Sequence, residues 1–161
     1  MEKHLARLHL LRAEGNTEEA LNIIQQLLAI HPEDTKVHFE YARLLDAAGQ
    51  EREAVVHYEH AIANGLAGHD LEVATINLGS SYRTLGEYEK AVQIWLDGMS
   101  KFGENRALQV FLAMGLYNLG KHQEAMQLLL HTLVETSTDA WISHYRHAML
   151  IYADKLDETQ P

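Results

Sequence analysis

The stretch LGSSYRTLGEYEKA, residues 78–91, decides the fold. Leu78 and Tyr82 fall at helical spacing before Gly86, and Ala91 follows that glycine by five residues. Glycine enters the left-handed conformation that ends a helix without a steric penalty. A small residue early in a second helix lets two helices cross closely. The stretch therefore predicts two antiparallel helices joined by a short turn.

The same glycine–alanine pair occurs four times along the chain. An alanine follows each glycine by five residues, and successive glycines are 34, 37 and 34 residues apart. The pairs are Gly15 with Ala20, Gly49 with Ala54, Gly86 with Ala91, and Gly120 with Ala125. A period of this length indicates stacked helical hairpins. The anchors divide the chain into four repeats, at residues 1–34, 35–68, 72–105 and 106–139, with residues 69–71 inserted between the second and third.

The residues after the fourth repeat predict one more helix. Residues 140–156 are rich in apolar side chains, and we expect them to cap the end of the stack. The sequence thus predicts an all-α fold of about nine helices, arranged as one domain over residues 1–161.

Composition and charge argue against several function classes. The net charge of −10 would repel a nucleic acid, so we expect no nucleic acid partner. The absence of cysteine excludes disulfides, thiolate metal sites and a thiol nucleophile. No window is long and apolar enough for a transmembrane helix, and the N-terminus lacks the pattern of a signal peptide. We therefore expect no membrane association and a cytoplasmic protein.

Catalytic and metal sites are not indicated either. Ser80 and Ser81 lie inside a predicted helix, with no loop after them that could form an oxyanion hole. The histidine pairs His57 with His60 and His144 with His147 have a spacing that could share a metal, but a third and fourth ligand are not evident. The alternative is a solvated helix face. We expect no enzyme activity, no metal and no cofactor.

The repeat resembles the tetratricopeptide repeat, and the resemblance covers nearly the whole chain. The sequences of residues 78–86 and 111–113 resemble those of a small bacterial family of stand-alone tetratricopeptide proteins. The resemblance implies a right-handed α-solenoid whose concave groove binds a protein or peptide. The matching residues are Pro32, Leu78, Gly79, Tyr82, Gly86, Tyr88, Ala91, Leu112, Ala113, Gly120 and Ala125.

In that family, set positions on the first helix of each repeat line the groove. Carried over, those positions give an N-terminal half in which Arg12, Lys36, Arg43 and Arg83 outnumber Glu2 and Asp46, which would suit an acidic segment. The C-terminal half is apolar. The alternative is ordinary surface solvation for the arginines and packing on the final helix for the apolar residues. The candidate binding residues are Lys36, Phe39, Arg43, Asn77, Ser80, Arg83, Met114, Tyr117 and Asn118.

Two functions stay open at this point. The first is a non-catalytic module that binds a peptide or protein segment, such as an acidic one, in the groove. The second is a homo-oligomeric scaffold subunit, such as a homodimer, that self-associates through its apolar C-terminal end. The final helix separates them: if Trp141, Tyr145, Ile151 and Tyr152 are all needed to cap the stack, no apolar patch is left for self-association.

Overall fold

The computed structural model describes residues 2–103 and 105–159, and every regular element in these residues is a helix. The all-α prediction is confirmed. The helices are α1 (Glu2–Ala13), α2 (Thr17–Ile30), α3 (Thr35–Ala47), α4 (Glu51–Ala63), α5 (Gly68–Thr84), α6 (Tyr88–Lys101), α7 (Arg106–Asn118), α8 (His122–Thr136) and α9 (Ala140–Ala153). They fall into two compact units, residues 1–87 (unit 1) and 88–161 (unit 2), which are described separately. The single-domain organisation stays a prediction.

The four repeat glycines close the hairpin turns as expected. Their φ angles lie between 73° and 81°, a region that side chains with a Cβ atom rarely adopt. In the second repeat, the N–H of Gly49 donates to the carbonyl of Asp46 at 3.0 Å, and the N–H of Gln50 donates to Leu45 at 2.9 Å. The other three turns have the same pair of bonds. This arrangement satisfies carbonyl groups at the end of the first helix.

The repeat alanines also behave as predicted. Ala20, Ala54, Ala91 and Ala125 are all buried. Polar side chains begin several helices: Asp34 and Asp139 each accept two backbone N–H groups from the first turn that follows. Local turn chemistry therefore accounts for where these helices begin and end.

Unit 1 is built from α1 to α5 around a continuous apolar core. Leu11, Ile24, Leu44 and Tyr58 are all nearly inaccessible to solvent. The insertion before the third repeat is helical, because α5 begins at Gly68 and runs for 17 residues. The insertion therefore lengthens α5 at its N-terminal end.

Unit 2 is built from α6 to α9, with Trp95 at its centre. The Trp95 ring is buried and lies 5.7 Å from the Phe111 ring, measured between centroids. Gly115 lets α7 approach this tryptophan closely. At the far end, α9 packs on α8, and Arg146 donates to the carbonyl of Val134 at 3.2 Å.

Helix α9 ends three residues before the predicted limit of 156. Just beyond that end, the Asp154 carboxylate bonds to Gln127 and His131 of α8, at 2.7 and 2.9 Å. These hydrogen bonds hold the pKa of Asp154 below its ordinary value. No helix in the described part of the chain has both the length and the apolar character needed to cross a bilayer.

Candidate interaction surfaces

Two cavities lie on one face of unit 1 and share Arg12 and Arg43. We call this surface the unit 1 face. The first cavity has a volume of about 430 Å³ and the second about 460 Å³. The first is lined by Arg12, Arg43, Asp46, Ala47, Glu51, Tyr58, Asn77, Ser80, Ser81 and Thr84. The second is lined by Leu5, Ala6, His9, Arg12, Lys36, Phe39, Glu40, Arg43, His69 and Asp70. Most of these residues come from α1, α3 and α5, the first helices of their repeats.

A buried carboxylate lies between the two shared arginines. Glu40 is 3.0 Å from Arg43 and 3.6 Å from Arg12, and its other near neighbour is His9 at 3.3 Å. Burial of a carboxylate is costly unless cations and hydrogen bonds compensate it, and this cluster does so. The unit 1 face is consequently less basic than the sequence suggested, because Glu40 offsets part of the arginine charge.

The same contacts fix the arginine side chains. Arg43 also lies over the ring of Phe39, with its guanidinium carbon 5.2 Å from the ring centroid. Phe39 itself is only 1% exposed, so it supports Arg43 from below and offers a ligand almost no surface. The role of Phe39 as a binding residue stays a prediction, and its burial leaves little of the ring for a direct contact.

A hydrogen-bonded network forms one wall of the first cavity. The hydroxyls of Tyr58 and Ser81 donate to the Asp46 carboxylate at 2.9 and 2.7 Å. The Asn77 amide donates to the Tyr58 hydroxyl at 3.1 Å. Burial raises the pKa of Asp46 above its ordinary value, although the two hydrogen bonds act in the opposite direction. Asn77, a predicted binding residue, is thus part of this wall.

The remaining predicted residues of unit 1 differ in position. Lys36 is exposed at the edge of the second cavity, and Ser80 lines the first. Arg83 is half-buried on α5 and is not among the residues that line either cavity. A role for these three residues in binding stays a prediction.

The predicted residues of unit 2 lie on α7. Met114 and Tyr117 are exposed, and the Tyr117 ring lies 4.7 Å from the His122 ring. Asn118 is half-buried at the end of the same helix. Met114 and Tyr117 are therefore accessible rather than packed beneath α9, but their role as binding residues stays a prediction.

Unit 2 carries most of the exposed apolar surface. Eleven of the fourteen exposed large apolar side chains of the described residues lie between residues 88 and 161. One group borders a cavity of about 440 Å³ lined by Val110, Met126, Leu129, Leu130, Thr132, Leu133 and Thr136. A second group lies on α9 and includes Trp141, Tyr145, Ile151 and Tyr152. Capping the fourth repeat therefore leaves an apolar patch on α9 accessible.

Three histidines of unit 1 meet between α3 and α4. The Nε2 atom of His38 donates to the Pro32 carbonyl at 2.8 Å, and its Nδ1 atom lies 2.8 Å from the Nδ1 atom of His57. The His60 ring stacks on the His38 ring with 3.7 Å between centroids. Burial, followed by the proximity of His38 and His60, lowers the pKa of His57 to about 4.

The three rings do not form a metal site. Because the His38 and His60 rings are stacked, their in-plane lone pairs do not converge on one ion. Over residues 2–103 and 105–159, no group of three or more metal-ligating side chains has an arrangement that could hold a metal. The cluster acts instead as a packed contact between the two helices.

Several residues of the unit 1 face were not predicted from the sequence, and two of them take part in its ion pairs and hydrogen bonds. Glu40 and Tyr58 lie outside the groove positions carried over from the family resemblance. The spacing of Glu40 and Arg43, three residues apart on one helix, was an available signal for an ion pair. The position of Tyr58 had no such signal, since its hydroxyl reaches the face from the second helix of the hairpin.

Comparisons with known proteins agree with this architecture. A family model described as Tetratrico peptide repeat matches residues 35–156, and a second tetratricopeptide repeat model matches residues 2–44. A search of curated proteins finds no significant match.

Solved structures give the same fold at low sequence identity. YrrB, described as a TPR protein with an unusual peptide-binding site, is 17% identical, with a TM-score of 0.72 over 96% of this chain and 77% of that one. The TPR-like repeats of a putative kinesin light chain from Podosopora anserina are 20% identical, with a TM-score of 0.74 over 96% and 85%.

PilF of Pseudomonas aeruginosa is 18% identical, with a TM-score of 0.71 over 96% of this chain and 69% of that one. At these identities the structural likeness shows the fold alone. Together with the repeat glycines, the buried alanines and a family model that covers most of the residues, it shows that this chain is an all-α solenoid that belongs to the tetratricopeptide repeat family.

Proposed function

We propose that this chain is a non-catalytic protein–protein interaction module that binds an acidic peptide segment on the unit 1 face. The observation that carries the proposal is the pair Arg12 and Arg43, which line both cavities and are held in place by Glu40. A guanidinium group binds a carboxylate through two parallel hydrogen bonds. Since Glu40 already orders both arginines, a ligand loses little side-chain entropy when it binds them.

The charges around the second cavity favour an acidic ligand over a basic one. Its lining has three positive side chains and two negative ones. Leu5 adds an apolar wall beside these charges. The face therefore suits a short segment in which carboxylates alternate with apolar residues.

Fluorescence anisotropy with labelled peptides tests this function. The probes are an Asp/Glu-rich peptide, its Asn/Gln analogue and a Lys-rich peptide of equal length. We expect the acidic peptide alone to bind, and Arg43→Gln to weaken its binding by about tenfold. Arg52→Gln is the matched control, because Arg52 is exposed on α4, lines neither cavity and carries the same charge.

Two results would contradict the proposal. One is equal binding of the acidic peptide and its amide analogue, which would show that carboxylates are not recognised. The other is an equal effect of Arg43→Gln and Arg52→Gln, which would reduce the binding to long-range charge attraction. Raising the salt concentration separates that attraction from a local contact, because salt screens distant charges more strongly.

A second candidate function is self-association as an assembly subunit. The observation in its favour is the exposed apolar surface of α9, which packing on α8 leaves open. Light scattering over a range of protein concentrations tests it directly. A monomer at every concentration would remove this candidate and leave the peptide-binding module.

A further inference from the structure

We propose that α9 carries a helical seam through which two copies of this chain pair in antiparallel orientation. The inference rests on the second candidate function and identifies its surface. Trp141, Tyr145, Ala148 and Tyr152 follow one another at spacings of four, three and four residues. This is the spacing of the contact positions in a two-helix coiled coil.

The seam residues are accessible. Trp141, Tyr145 and Tyr152 are 70%, 51% and 67% exposed, so no residue that the structure describes covers them. The other side of α9, which includes the buried Ala153, packs on α8. A helix of 14 residues with one apolar side packed and a second apolar side exposed has the surface pattern of a helix between two neighbours.

The order of large and small residues along the seam favours the antiparallel pair. A two-fold axis midway along the seam places Tyr145 of one copy opposite Ala148 of the other, and Trp141 opposite Tyr152. The Tyr145 ring then fills the space above a small residue. A parallel pair would instead place Ala148 against itself and leave a void, which costs packing energy.

The rings are partly ordered before pairing. The Trp141 and Tyr145 rings already lie stacked along α9, with 6.4 Å between centroids and 18° between planes. Rigid aromatic side chains lose little conformational entropy in an interface, which is one reason that they are enriched there.

Charge also permits a second copy at this surface. Two copies with a net charge of −10 each repel one another over most of their surfaces. Helix α9 is an exception, because residues 140–153 include no Asp or Glu and the one Arg is turned toward the Val134 carbonyl. Two copies can approach along α9 without placing carboxylates against carboxylates.

The available area predicts a reversible dimer. The three exposed aromatic side chains offer roughly 400 Å² per copy, or about 800 Å² in the pair. Their neighbours Ile151 and His144 bring the total to about 1,000 Å², the lower end of specific interfaces and well below the standard of about 1,600 Å². We therefore expect a dimer that forms on the order of micromolar concentration and dissociates on dilution.

Sedimentation velocity of the full chain over about a hundredfold range of concentration tests the seam. We expect the wild type to shift from monomer to dimer. Ala148→Glu, at the centre of the seam, should weaken dimerisation at least tenfold. Ser143→Glu adds the same charge to α9 at an exposed position off the seam and should leave dimerisation unchanged. Tyr152→Glu is a second seam variant, at a side chain so exposed that folding does not depend on it.

The outcomes separate the seam from the broader function. A wild type that stays monomeric overturns both the seam and self-association. A wild-type dimer that persists in both Ala148→Glu and Tyr152→Glu overturns the seam but leaves self-association through another surface. Equal weakening by Ser143→Glu also overturns the seam, because it attributes the effect to charge alone.

Cysteine cross-linking tests the orientation. The chain has no cysteine, so single introduced thiols report on one contact each. Tyr145→Cys chains are mixed with Ala148→Cys chains and oxidised by glutathione disulfide. If the pair is antiparallel, disulfides that join one variant to the other should outnumber those that join two copies of the same variant. A majority of like-with-like disulfides would overturn the antiparallel arrangement.

Discussion

Acid should loosen the contact between α3 and α4, because the environment of His57 disfavours its protonated form. The pKa of His57 is lowered from its ordinary 6.5 to about 4, chiefly by burial and then by His38 and His60. Between these values, the unfolded chain binds a proton that the folded chain does not. The contribution of neutral His57 to the free energy of unfolding is therefore fully present above pH 6.5. It is lost progressively as pH falls toward 4.

The size of the effect follows from that difference in pKa. Each unit of pKa corresponds to about 1.4 kcal/mol, and at pH 5 the unfolded histidine is almost fully protonated while the folded one is almost neutral. Without solvent screening, a pKa lowered from 6.5 to about 4 would reduce the free energy of unfolding by about 2 kcal/mol between pH 7 and pH 5. The His57 ring is half-buried, so solvent screening reduces the expected loss to about 1 kcal/mol.

Urea unfolding followed by circular dichroism at several pH values from 7 to 5 measures the loss. Carboxylates also titrate over part of this range, so the wild type is compared with His57→Gln, which removes one titrating group and keeps a polar side chain. We expect the free energy of unfolding to fall by about 1 kcal/mol more in the wild type than in the variant. Parallel pH profiles for the two proteins would refute the reasoning.

Three substitutions test the packing. Ala54→Leu should overpack the crossing of α3 and α4 and cost roughly 1–3 kcal/mol in thermal or urea unfolding, whereas Ala63→Leu, exposed at the end of the same helix, should be near neutral. Gly115→Ala should destabilise the protein by about 1 kcal/mol although alanine has the better helix propensity, because the added Cβ would lie 2.7 Å from Val92 Cγ2. A gain in melting temperature would contradict this. Gly49→Ala should lower the free energy of unfolding by about 1 kcal/mol, because the φ angle of this residue is +73°, although there is free space around it. An unchanged midpoint of urea unfolding would show that the turn tolerates a Cβ atom.

Much of the fold could be predicted because the signals are local. A glycine with positive φ and an alanine at a helix crossing depend on neighbours in the same hairpin, so a period of 34 residues carries them directly. In the stretch of residues 78–91, Gly86 has the expected positive φ and Ala91 is buried as expected.

The candidate site was less predictable because its chemistry depends on contacts between hairpins. From the sequence, Glu40 is indistinguishable from a surface carboxylate, because its contact with Arg12 of α1 forms only in the folded chain. Phe39 was placed in the groove by its repeat position, but the packing of its neighbours buries it. The accessibility of Trp141 could not be read from sequence either, since an apolar residue on a terminal helix fits both a cap and an interface.

The half-buried carboxylate of Asp46 has a consequence for how the number of repeats can change. Hairpins that close through local turns are easily lost or duplicated by recombination between repeats. Asp46, however, takes a proton donor from Ser81 in the next repeat, and the same repeat position in the fourth repeat is Gly115. A chain shortened by deletion of the third repeat would place this half-buried carboxylate beside a repeat that lacks one of its two hydroxyl donors. The second and third repeats are therefore expected to be inherited together.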